Sequence, residues 1–249
     1  MKNDSIAVVT GGSRGIGAAT VNLLMEQGWR VAVLDKVEGM YWKREPLFLE
    51  CDVTSEQAVQ QSVDKILAQW GRIDALINNA GIQRYGTVTD TSAELWDEVM
   101  NVNLKSMFLC ARAVLPAMVT QKKGVIINVS SVQAFHSQQK VAAYTTSKTA
   151  ILGLTRSIAV DYAPFVRCVA VCPGTVDTEM LRDALALSAD PAAVLRECEQ
   201  MHPVARIADP EEIASLIHYL LDDKAAFITG QAIRIDGGLG LMIQGTIKE

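Results

Sequence analysis

Short apolar runs and longer helical segments alternate along the whole chain, and this alternation limits the folds that it can adopt. The runs are rich in β-branched residues and lie at 6–10, 30–35, 47–51, 73–78, 124–130, 166–172 and 232–236. Helices are predicted at about 15–28, 55–70, 92–120, 144–162 and 210–221. Most runs are almost continuously hydrophobic, which is typical of parallel strands covered by helices on both faces. The pattern predicts an α/β fold with a doubly wound, seven-stranded, mostly parallel sheet.

Two stretches depart from the regular alternation. Only the residues 36–46 separate Asp35 from Leu47, and Gly39 and Pro46 shorten any helix there, so we expect a loop or a single turn. Residues 179–209 are rich in alanine and leucine but interrupted by prolines, which predicts two short helices laid over the sheet. No linker or repeat divides the chain. We therefore expect one domain over residues 1–249, with 179–209 as a substrate lid.

The composition argues against several classes of protein. The 249 residues include 23 Lys and Arg against 28 Asp and Glu, and a net charge of −5 disfavours binding to nucleic acid. No apolar stretch is long enough to predict a membrane span, and Asp4 lies where a secretory signal would have its apolar core. The five cysteines include no CxxC motif, and Cys198 and His202 have no third metal ligand at suitable spacing. We expect a cytoplasmic protein with reduced thiols and no metal.

A glycine-rich turn follows the first predicted strand and leads directly into a helix. Glycines let the backbone approach a pyrophosphate closely, and a helix N-terminus offers free N–H groups to phosphates. The candidate dinucleotide contacts in this turn are Gly11, Ser13, Arg14, Gly15, Ile16 and Gly17. The turn also fits the G-x-S-x-G motif of serine hydrolases, but that motif needs strands and an oxyanion loop upstream, and too few residues precede Gly11.

Asp35 ends the second predicted strand at a distance from the glycine turn that suits a dinucleotide site. A carboxylate here can accept hydrogen bonds from both hydroxyls of the adenosine ribose, and it repels a 2′-phosphate. The position therefore favours NAD over NADP. Three nearby cations could weaken this discrimination, namely Arg14, Lys36 and Arg44. Tyr41 and Trp42 in the same loop either cover the adenine or pack against the sheet edge.

Further motifs follow in a fixed order along the rest of the chain. They are Asp52 in Cys-Asp-Val, Asn78-Asn-Ala-Gly81, Asn103 in Asn-Val-Asn-Leu, Ser131 in Asn-Val-Ser-Ser-Val, Tyr144-Thr-Thr-Ser-Lys148, Pro173-Gly174 with Thr178, Gly230, and Asp236-Gly-Gly238. With the glycine turn, they make the chain similar to the short-chain dehydrogenase/reductase family in its shorter, single-domain form. The resemblance implies a Rossmann-type fold, a nicotinamide cofactor, and hydride transfer between an alcohol and a carbonyl compound.

The resemblance also assigns residues to the cofactor and to subunit contacts. Asp52 and Val53 would hold the adenine ring, and Asn78 and Ala80 would line the adenosine ribose and brace the sheet. Thr175 and Val176 would contact the nicotinamide carboxamide. The remaining expected cofactor contacts are Asn79, Gly81, Pro173, Gly174 and Thr178. Family members commonly form tetramers through two long helices, here about 103–120 and 144–162, and the apolar stretch 239–247 would fit a second interface.

Tyr144 and Lys148 are four residues apart, so both lie on one face of a predicted helix. A free phenol has a pKa of about 10, and a nearby ammonium should lower it. We expect Tyr144 to accept the substrate's hydroxyl proton in oxidation and to return it in reduction, while Lys148 also binds the nicotinamide ribose. By the family's spacing, Ser131 rather than Ser130 polarises the carbonyl, and adjacent strand residues face opposite ways. Asn103 would hold a water that links Lys148 to solvent.

The segment after Ser131 is expected to line the substrate pocket, because loops at the carboxyl ends of parallel strands hold ligands. Ser131 and Tyr144 would contact the reacting oxygen, and Gln133, His136 and Gln138 would form a polar rim. We therefore expect an NAD-dependent dehydrogenase of a small polyhydroxylated compound, such as a sugar or a cyclic diol. A 3-oxoacyl or hydroxysteroid-type ketone reductase is the alternative within this class. A non-catalytic dinucleotide-sensing protein is the alternative outside it.

Overall fold

The computed structural model describes residues 5–241, which are built around one seven-stranded sheet. Its strands are β1 (Ile6–Thr10), β2 (Arg30–Asp35), β3 (Leu47–Glu50), β4 (Ala75–Asn78), β5 (Gly124–Val129), β6 (Val166–Pro173) and β7 (Ala232–Ile235). They lie in the order β3-β2-β1-β4-β5-β6-β7, and every neighbouring pair is parallel. The predicted doubly wound, seven-stranded parallel fold is confirmed.

Helices cover both faces of the sheet. They are α1 (Gly15–Glu26), α2 (Glu56–Trp70), α3 (Ala93–Met100), α4 (Ser106–Gln121), α5 (Ala142–Asp161), α6 (Glu179–Leu185), α7 (Pro191–Gln200) and α8 (Pro210–Leu221). One core cluster joins α2, α4 and α5 to the sheet, and a second joins α1 and α8 to its other face. In β1, Val8 belongs to the first cluster and Val9 to the second, so both faces of the strand are buried. This two-sided burial explains why the strands read as continuous apolar runs.

The irregular stretches agree with the sequence except at one helix. Residues 36–46 form a loop without a helix, and α6 and α7 are two short helices within 179–209. The helix expected at 92–120 is instead divided, because a π-helical turn, Asn101–Lys105, separates α3 from α4. That the whole chain is one domain, and that 179–209 acts as a lid, stay predictions.

By length and composition alone, the continuous helical stretch Ala93–Gln121 could cross a membrane. Half of its most apolar window is buried inside the fold, where Val114 and Met118 pack against the sheet. Core helices have the same composition, so this stretch is weak evidence for a span.

Asp74 fixes the start of β4 against the start of β1. Its carboxylate is 7% exposed, accepts a hydrogen bond from the Ile6 N–H at 2.9 Å and pairs with the Arg72 guanidinium. Replacing Asp74 by Ala should lower the free energy of unfolding by about 3 kcal/mol, because a buried N–H and a cation lose their acceptor. Urea denaturation measures this change.

The matched control is Glu98→Ala, which breaks the exposed Arg84–Glu98 pair. It should cost less than about 1 kcal/mol, because exposed ion pairs contribute little. If the two variants lose equal free energy of unfolding, the burial of Asp74 does not increase its contribution to stability.

Candidate active site

The glycine turn between β1 and α1 is shaped by close approaches that leave no room for side chains. A Cβ at Gly17 would lie 2.1 Å from the Gly11 carbonyl oxygen. Gly15 has φ +51°, and a Cβ there would lie 3.0 Å from the Thr178 methyl, so the loop after β6 touches this turn. Ile16 packs against the core, so its backbone rather than its side chain faces a ligand. The turn is the kind of cradle that accepts a pyrophosphate.

The loop after β4 supports the glycine turn from one side. The Asn79 side-chain amide donates to the Gly11 carbonyl oxygen at 2.8 Å. The Thr10 hydroxyl oxygen accepts from the backbone N–H groups of Asn79 and Ala80, at 3.0 and 3.1 Å. Asn79 and Ala80 therefore lie at the candidate cofactor site and hold its backbone.

Asn78, expected to line the adenosine ribose, does not face the cleft. Its side chain is 1% exposed and donates to the Asn128 side-chain oxygen at 2.9 Å. Side chains alternate along a strand, so the last residue of β4 points into the core opposite α4. The expectation that it braces the sheet fits this geometry; the expectation of a ribose contact does not.

Trp42 packs against the sheet edge instead of standing free over an adenine site. Its indole N–H donates to the Gly12 carbonyl oxygen at 2.9 Å, and its ring centroid lies 6.0 Å from that of Phe48. The neighbouring Tyr41 is exposed. The β2–β3 loop is thereby fastened to the glycine turn from the side opposite Asn79.

Asp35 is oriented by backbone groups of two segments. Its carboxylate accepts from the Ser13 N–H at 3.1 Å and from the Lys36 N–H at 2.7 Å. Each carboxylate oxygen has more than one lone pair, so these bonds leave acceptor capacity for ribose hydroxyls. Asp35 thus lies beside the glycine turn, where the sequence places it.

Of the three cations expected near Asp35, Lys36 is paired with another carboxylate. Its ammonium lies 2.9 Å from an Asp52 oxygen, and the Thr54 hydroxyl and N–H also donate to Asp52. Burial raises the pKa of Asp52, but these donors outweigh burial, and the pKa is lowered overall. Arg14 and Arg44 are exposed.

Tyr144 and Lys148 lie on one face of α5 and are 7% and 4% exposed. The Lys148 ammonium donates to the Val129 carbonyl oxygen at 3.0 Å and lies 5.6 Å from the centroid of the Tyr144 ring. Burial lowers the pKa of Lys148 to about 8, with the charge of Cys172 opposing the shift. The helix therefore holds a phenol and a partly dehydrated amine side by side.

The pKa of Tyr144 is raised overall, whereas the sequence analysis expects it to be lowered by Lys148. Burial raises the pKa of Tyr144 to about 12, because a phenolate without water is costly. The hydrogen bond with Ser131 lowers the pKa, and nearby Tyr85 raises it, but burial dominates.

The two adjacent serines have different partners. The Ser130 hydroxyl donates to the Lys148 carbonyl oxygen at 2.8 Å, and this bond joins the end of β5 to α5. Ser131 accepts from the Gln133 N–H at 3.1 Å, and its interaction with the Tyr144 phenol lowers the pKa of that phenol. Because a backbone donor uses an acceptor site of Ser131, its own hydroxyl proton is directed to other oxygens. The geometry favours Ser131 over Ser130 as the polarising serine.

Asn103 lies in the π-helical turn and is completely buried. Its side-chain oxygen accepts from the Ile82 N–H at 2.8 Å, and its amide donates to the Ile82 carbonyl and the Ser147 hydroxyl. A Cβ at Gly81 would lie 3.5 Å from both the Asn103 oxygen and the Lys148 nitrogen. Asn103 is therefore close to Lys148, but both of its amide hydrogens are used. A relay water would have to bond to an oxygen of Asn103.

The turn after β6 contains the residues expected at the nicotinamide. β6 ends at Pro173, and the Thr175 N–H donates to the His202 Nε2 at 3.1 Å. The Thr175 carbonyl oxygen accepts from the Ala208 N–H at 2.9 Å. Both backbone polar groups of Thr175 are thus bound to the segment that follows α7.

The expected polar rim divides into two parts. The Gln133 amide donates to the Gln138 side-chain oxygen at 3.3 Å and accepts from the Thr145 hydroxyl at 3.4 Å, next to Tyr144 in sequence. His136 is exposed on the other side, where its Nε2 would lie 3.0 Å from a Cβ at Gly240. His136 thus lies against the segment 239–241. The rest of the stretch 239–247, expected at a subunit interface, lies outside the described residues.

Sequence reasoning missed Tyr85, which acts electrostatically on Tyr144, and Cys198, which acts in the same way on Tyr85. The charge of Tyr85 contributes to the raised pKa of Tyr144, and burial and the charge of Cys198 raise the pKa of Tyr85 itself. The loop after β4 and helix α7 therefore approach the same cleft. Tyr85 lies in the loop that follows the carboxyl end of β4, and this position was the available signal; nothing in the sequence pointed to Cys198.

Comparisons with known proteins give the family of the chain. A family model described as enoyl-(acyl carrier protein) reductase matches residues 11–240. A 2-(S)-hydroxypropyl-CoM dehydrogenase from Xanthobacter autotrophicus is 36% identical, over 96% of this chain and 97% of that protein. The dehydrogenase/reductase SDR family member 6 of Aquarana catesbeiana is also 36% identical, over 95% of this chain and 97% of its own length.

A solved structure agrees. The ligand-free aldohexose dehydrogenase of Thermoplasma acidophilum superposes with a TM-score of 0.95 at 37% identity, covering 99% of this chain and 98% of that one. The chain belongs to the short-chain dehydrogenase/reductase family. It is an oxidoreductase of the class that interconverts alcohols and carbonyl compounds.

The residues present fit the nicotinamide dinucleotide that this family uses. The observation that tests the fit is the glycine turn, whose backbone cradle a Cβ at position 17 would fill. The helix N-terminus of α1 and the Asp35 carboxylate complete a surface for a diphosphate joined to a ribose.

Replacing Tyr144 by Phe should lower kcat by at least about 100-fold, because it removes the group placed to move the proton. Binding of the reduced dinucleotide, measured by fluorescence titration, should change less than about twofold. Tyr162→Phe, at the far end of α5, is the control and should keep full activity. If Tyr144→Phe retains turnover, Tyr144 does not transfer the proton.

The same pair predicts the pH profile of the wild type. Oxidation needs a Tyr144 phenolate beside a Lys148 ammonium, one proton fewer than the fully protonated pair. Lys148, with a pKa of about 8, loses its proton before Tyr144, with a pKa of about 12. The population with one proton removed therefore rises up to about pH 8 and is constant above it. kcat/KM for oxidation should rise and then level near pH 8, and kcat/KM for reduction should fall above the same pH.

Lys148→Arg tests the assignment of this profile, because a guanidinium stays charged at every accessible pH. With the residual activity of this variant, the oxidation profile should continue to rise above pH 8. A break that stays at pH 8 would mean that another group titrates.

Proposed function

We propose that this chain is an NAD-dependent dehydrogenase of a small polyhydroxylated substrate, such as a sugar or a cyclic diol. The observation that carries the proposal is the buried cluster of Tyr144, Ser131 and Lys148, beside a polar rim that reaches solvent. The bound nicotinamide supplies the hydride acceptor. The chain's own residues supply orientation and a path for the proton.

Each side chain has a distinct task in this reaction. Ser131 donates a hydrogen bond from its hydroxyl to the substrate oxygen and so holds that oxygen at Tyr144. Tyr144 takes the hydroxyl proton as the carbon loses hydride, and it returns the proton in the reverse direction. Lys148 stabilises the negative charge on Tyr144 and binds the ribose next to the nicotinamide. Asn103 fixes the loop at Gly81 and Ile82 that lies beside Lys148.

The charges near Asp35 support NAD as the cofactor. A carboxylate held by the N–H groups of Ser13 and Lys36 presents negative charge where a 2′-phosphate would lie. The Lys36 ammonium, which would attract a phosphate, is engaged by Asp52. An NADP site would need a cation at this position, and the exposed Arg14 and Arg44 are the remaining candidates.

The polar rim supports a hydroxylated substrate. Gln133, Gln138 and Thr145 form linked amide and hydroxyl groups beside Tyr144, and such groups both donate and accept. The similar structure from Thermoplasma acidophilum is an aldohexose dehydrogenase, which agrees with a sugar. His136 lies apart from this network, so we place it outside the first contacts of the substrate.

The proposal extends to assembly and location. An apolar groove of about 500 Å³ runs between the start of α4 and α5, and Phe108 within it is 47% exposed. Such a face fits a contact between copies of the chain, in line with a homotetramer. The five cysteines are free thiols, which fits the cytoplasm. Neither nucleic acid nor membrane is proposed as a partner.

A substrate panel tests the proposed function against its alternatives. Aldohexoses, polyols and cyclic diols are offered with NAD; acetoacetyl-CoA and a steroid ketone are offered with NADH and NADPH. We expect turnover with NAD and at least one hydroxylated compound, followed as NADH absorbance, and loss of this turnover in Tyr144→Phe. Faster turnover of the thioester or the steroid would favour the ketone reductases. Tight NADH binding without turnover of any compound would favour a dinucleotide sensor.

Asp35→Asn tests the cofactor assignment, because the amide keeps an acceptor and removes the negative charge. The ratio of kcat/KM for NAD to that for NADP should fall by about 10- to 100-fold, because the variant loses the repulsion between one carboxylate and the 2′-phosphate of NADP. Glu38→Gln removes an exposed charge from the same loop and should leave the ratio unchanged. An unaltered ratio in Asp35→Asn would mean that another group sets the preference.

A further inference from the structure

His202 is a buried histidine whose two ring nitrogens join separate parts of the fold. It follows α7 and is 3% exposed. Its Nδ1 lies 2.7 Å from the Cys198 carbonyl oxygen, which can only accept, so Nδ1 carries the proton. Its Nε2 lies 3.1 Å from the Thr175 nitrogen, whose N–H can only donate. The two contacts require the neutral ring protonated on Nδ1.

The imidazole packs against two glycines, one in the loop after β6 and one in the loop after β7. A Cβ at Gly174 would lie 2.8 Å from the His202 Nε2, and a Cβ at Gly237 would lie 3.4 Å from its Cδ2. Val204 N–H also donates to the Gly237 carbonyl oxygen at 3.4 Å. The turn after α7 is therefore docked closely on the ends of β6 and β7, and the ring has little freedom to move.

These contacts fix two successive peptide planes. The His202 bond holds the plane that joins Gly174 to Thr175, and the Ala208 N–H bond holds the plane that joins Thr175 to Val176. In a trans peptide the C=O and N–H point in opposite directions. The Gly174 carbonyl and the Val176 N–H therefore point away from the segment 202–208.

We propose that His202 is a positioning residue for the nicotinamide half of the dinucleotide. By holding the Thr175 N–H, it directs the Gly174 carbonyl and the Val176 N–H, one acceptor and one donor. A primary carboxamide offers the complementary donor and acceptor. His202 itself touches neither cofactor nor substrate. This inference rests on the proposed function, because it presumes that a nicotinamide lies at this turn.

The same contacts connect the nicotinamide turn to the substrate side. The Nδ1–H of His202 satisfies a carbonyl in the last turn of α7, where intrahelical donors are absent. That carbonyl belongs to Cys198, and the charge of its side chain raises the pKa of Tyr85. Helix α7 is therefore joined through His202 to the turn that would hold the carboxamide, and this link fixes the position of the turn relative to the end of the helix.

Two amide variants separate positioning from packing. Gln at 202 extends its amide oxygen to the place of Nε2 and can still accept from Thr175, whereas Asn reaches only the place of Nδ1. Both replace the ring by the same polar group. Calorimetric titration of each variant with NADH and with ADP-ribose, which lacks the nicotinamide, measures the two halves of the site.

We expect His202→Asn to weaken NADH binding by about tenfold, the effect of one lost buried hydrogen bond, and to change ADP-ribose binding less than about twofold. His202→Gln should bind NADH within about threefold of the wild type. The neighbouring Met201→Leu, at an exposed position, is the control and should bind both ligands as the wild type does.

The outcomes are distinct. Equal NADH affinities in the Asn and Gln variants, or parallel losses of NADH and ADP-ribose, would overturn the positioning role and leave a packing residue. If the wild type binds ADP-ribose and NADH equally well, the nicotinamide makes no favourable contact with this turn, and the inference is wrong. A wild type that binds neither would overturn the proposed function, and this inference with it.

Discussion

The removal of Lys148 from water is the constraint around which the rest of the site is arranged. An ammonium without hydration needs acceptors, and here the carbonyl at the end of β5 provides one. Burial brings the pKa of this group to about 8, within reach of physiological pH. The phenol of Tyr144 is buried in the same way but shifts in the opposite direction. Together the two groups form a pair that gives up its first proton near neutral pH.

The glycine turn gains its shape from neighbours distant in sequence. Asn79 holds it from the loop after β4, Trp42 holds it from the β2–β3 loop, and Thr178 lies against it from the loop after β6. Because four of the seven residues 11–17 are glycines, the turn has little side-chain packing of its own. Three separate segments supply that packing.

The sequence predicted the strands, most of the helices and the order of the motifs, because these depend on local periodicity and on residue type. It predicted Tyr144, Lys148 and Ser131 as a group, since Ser131 follows a strand end and the other two share a helix face; that they act together stays a prediction. It did not predict the π-helical turn at Asn103, the Asp52–Lys36 pair, or the contacts of His202. Each of these depends on a contact between segments whose approach the sequence pattern does not specify. The raised pKa of Tyr144 was missed for a related reason, because burial is a property of the assembled cleft.

The two ends of the candidate cofactor site are held by different kinds of structure. The adenosine end consists of the glycine turn, Asp35 and the Lys36–Asp52 pair, all close to β1 and β2. The nicotinamide end consists of the turn after β6, which is bound to the segment following α7 through His202. Helix α7 also carries Cys198, whose charge raises the pKa of Tyr85. A change in α7 therefore has a structural route through His202 to the nicotinamide end. The contacts described at the adenosine end do not involve α7. Under the proposed function, the adenosine end would contribute affinity for the dinucleotide, and the nicotinamide end would contribute both affinity and the alignment of the reactive ring.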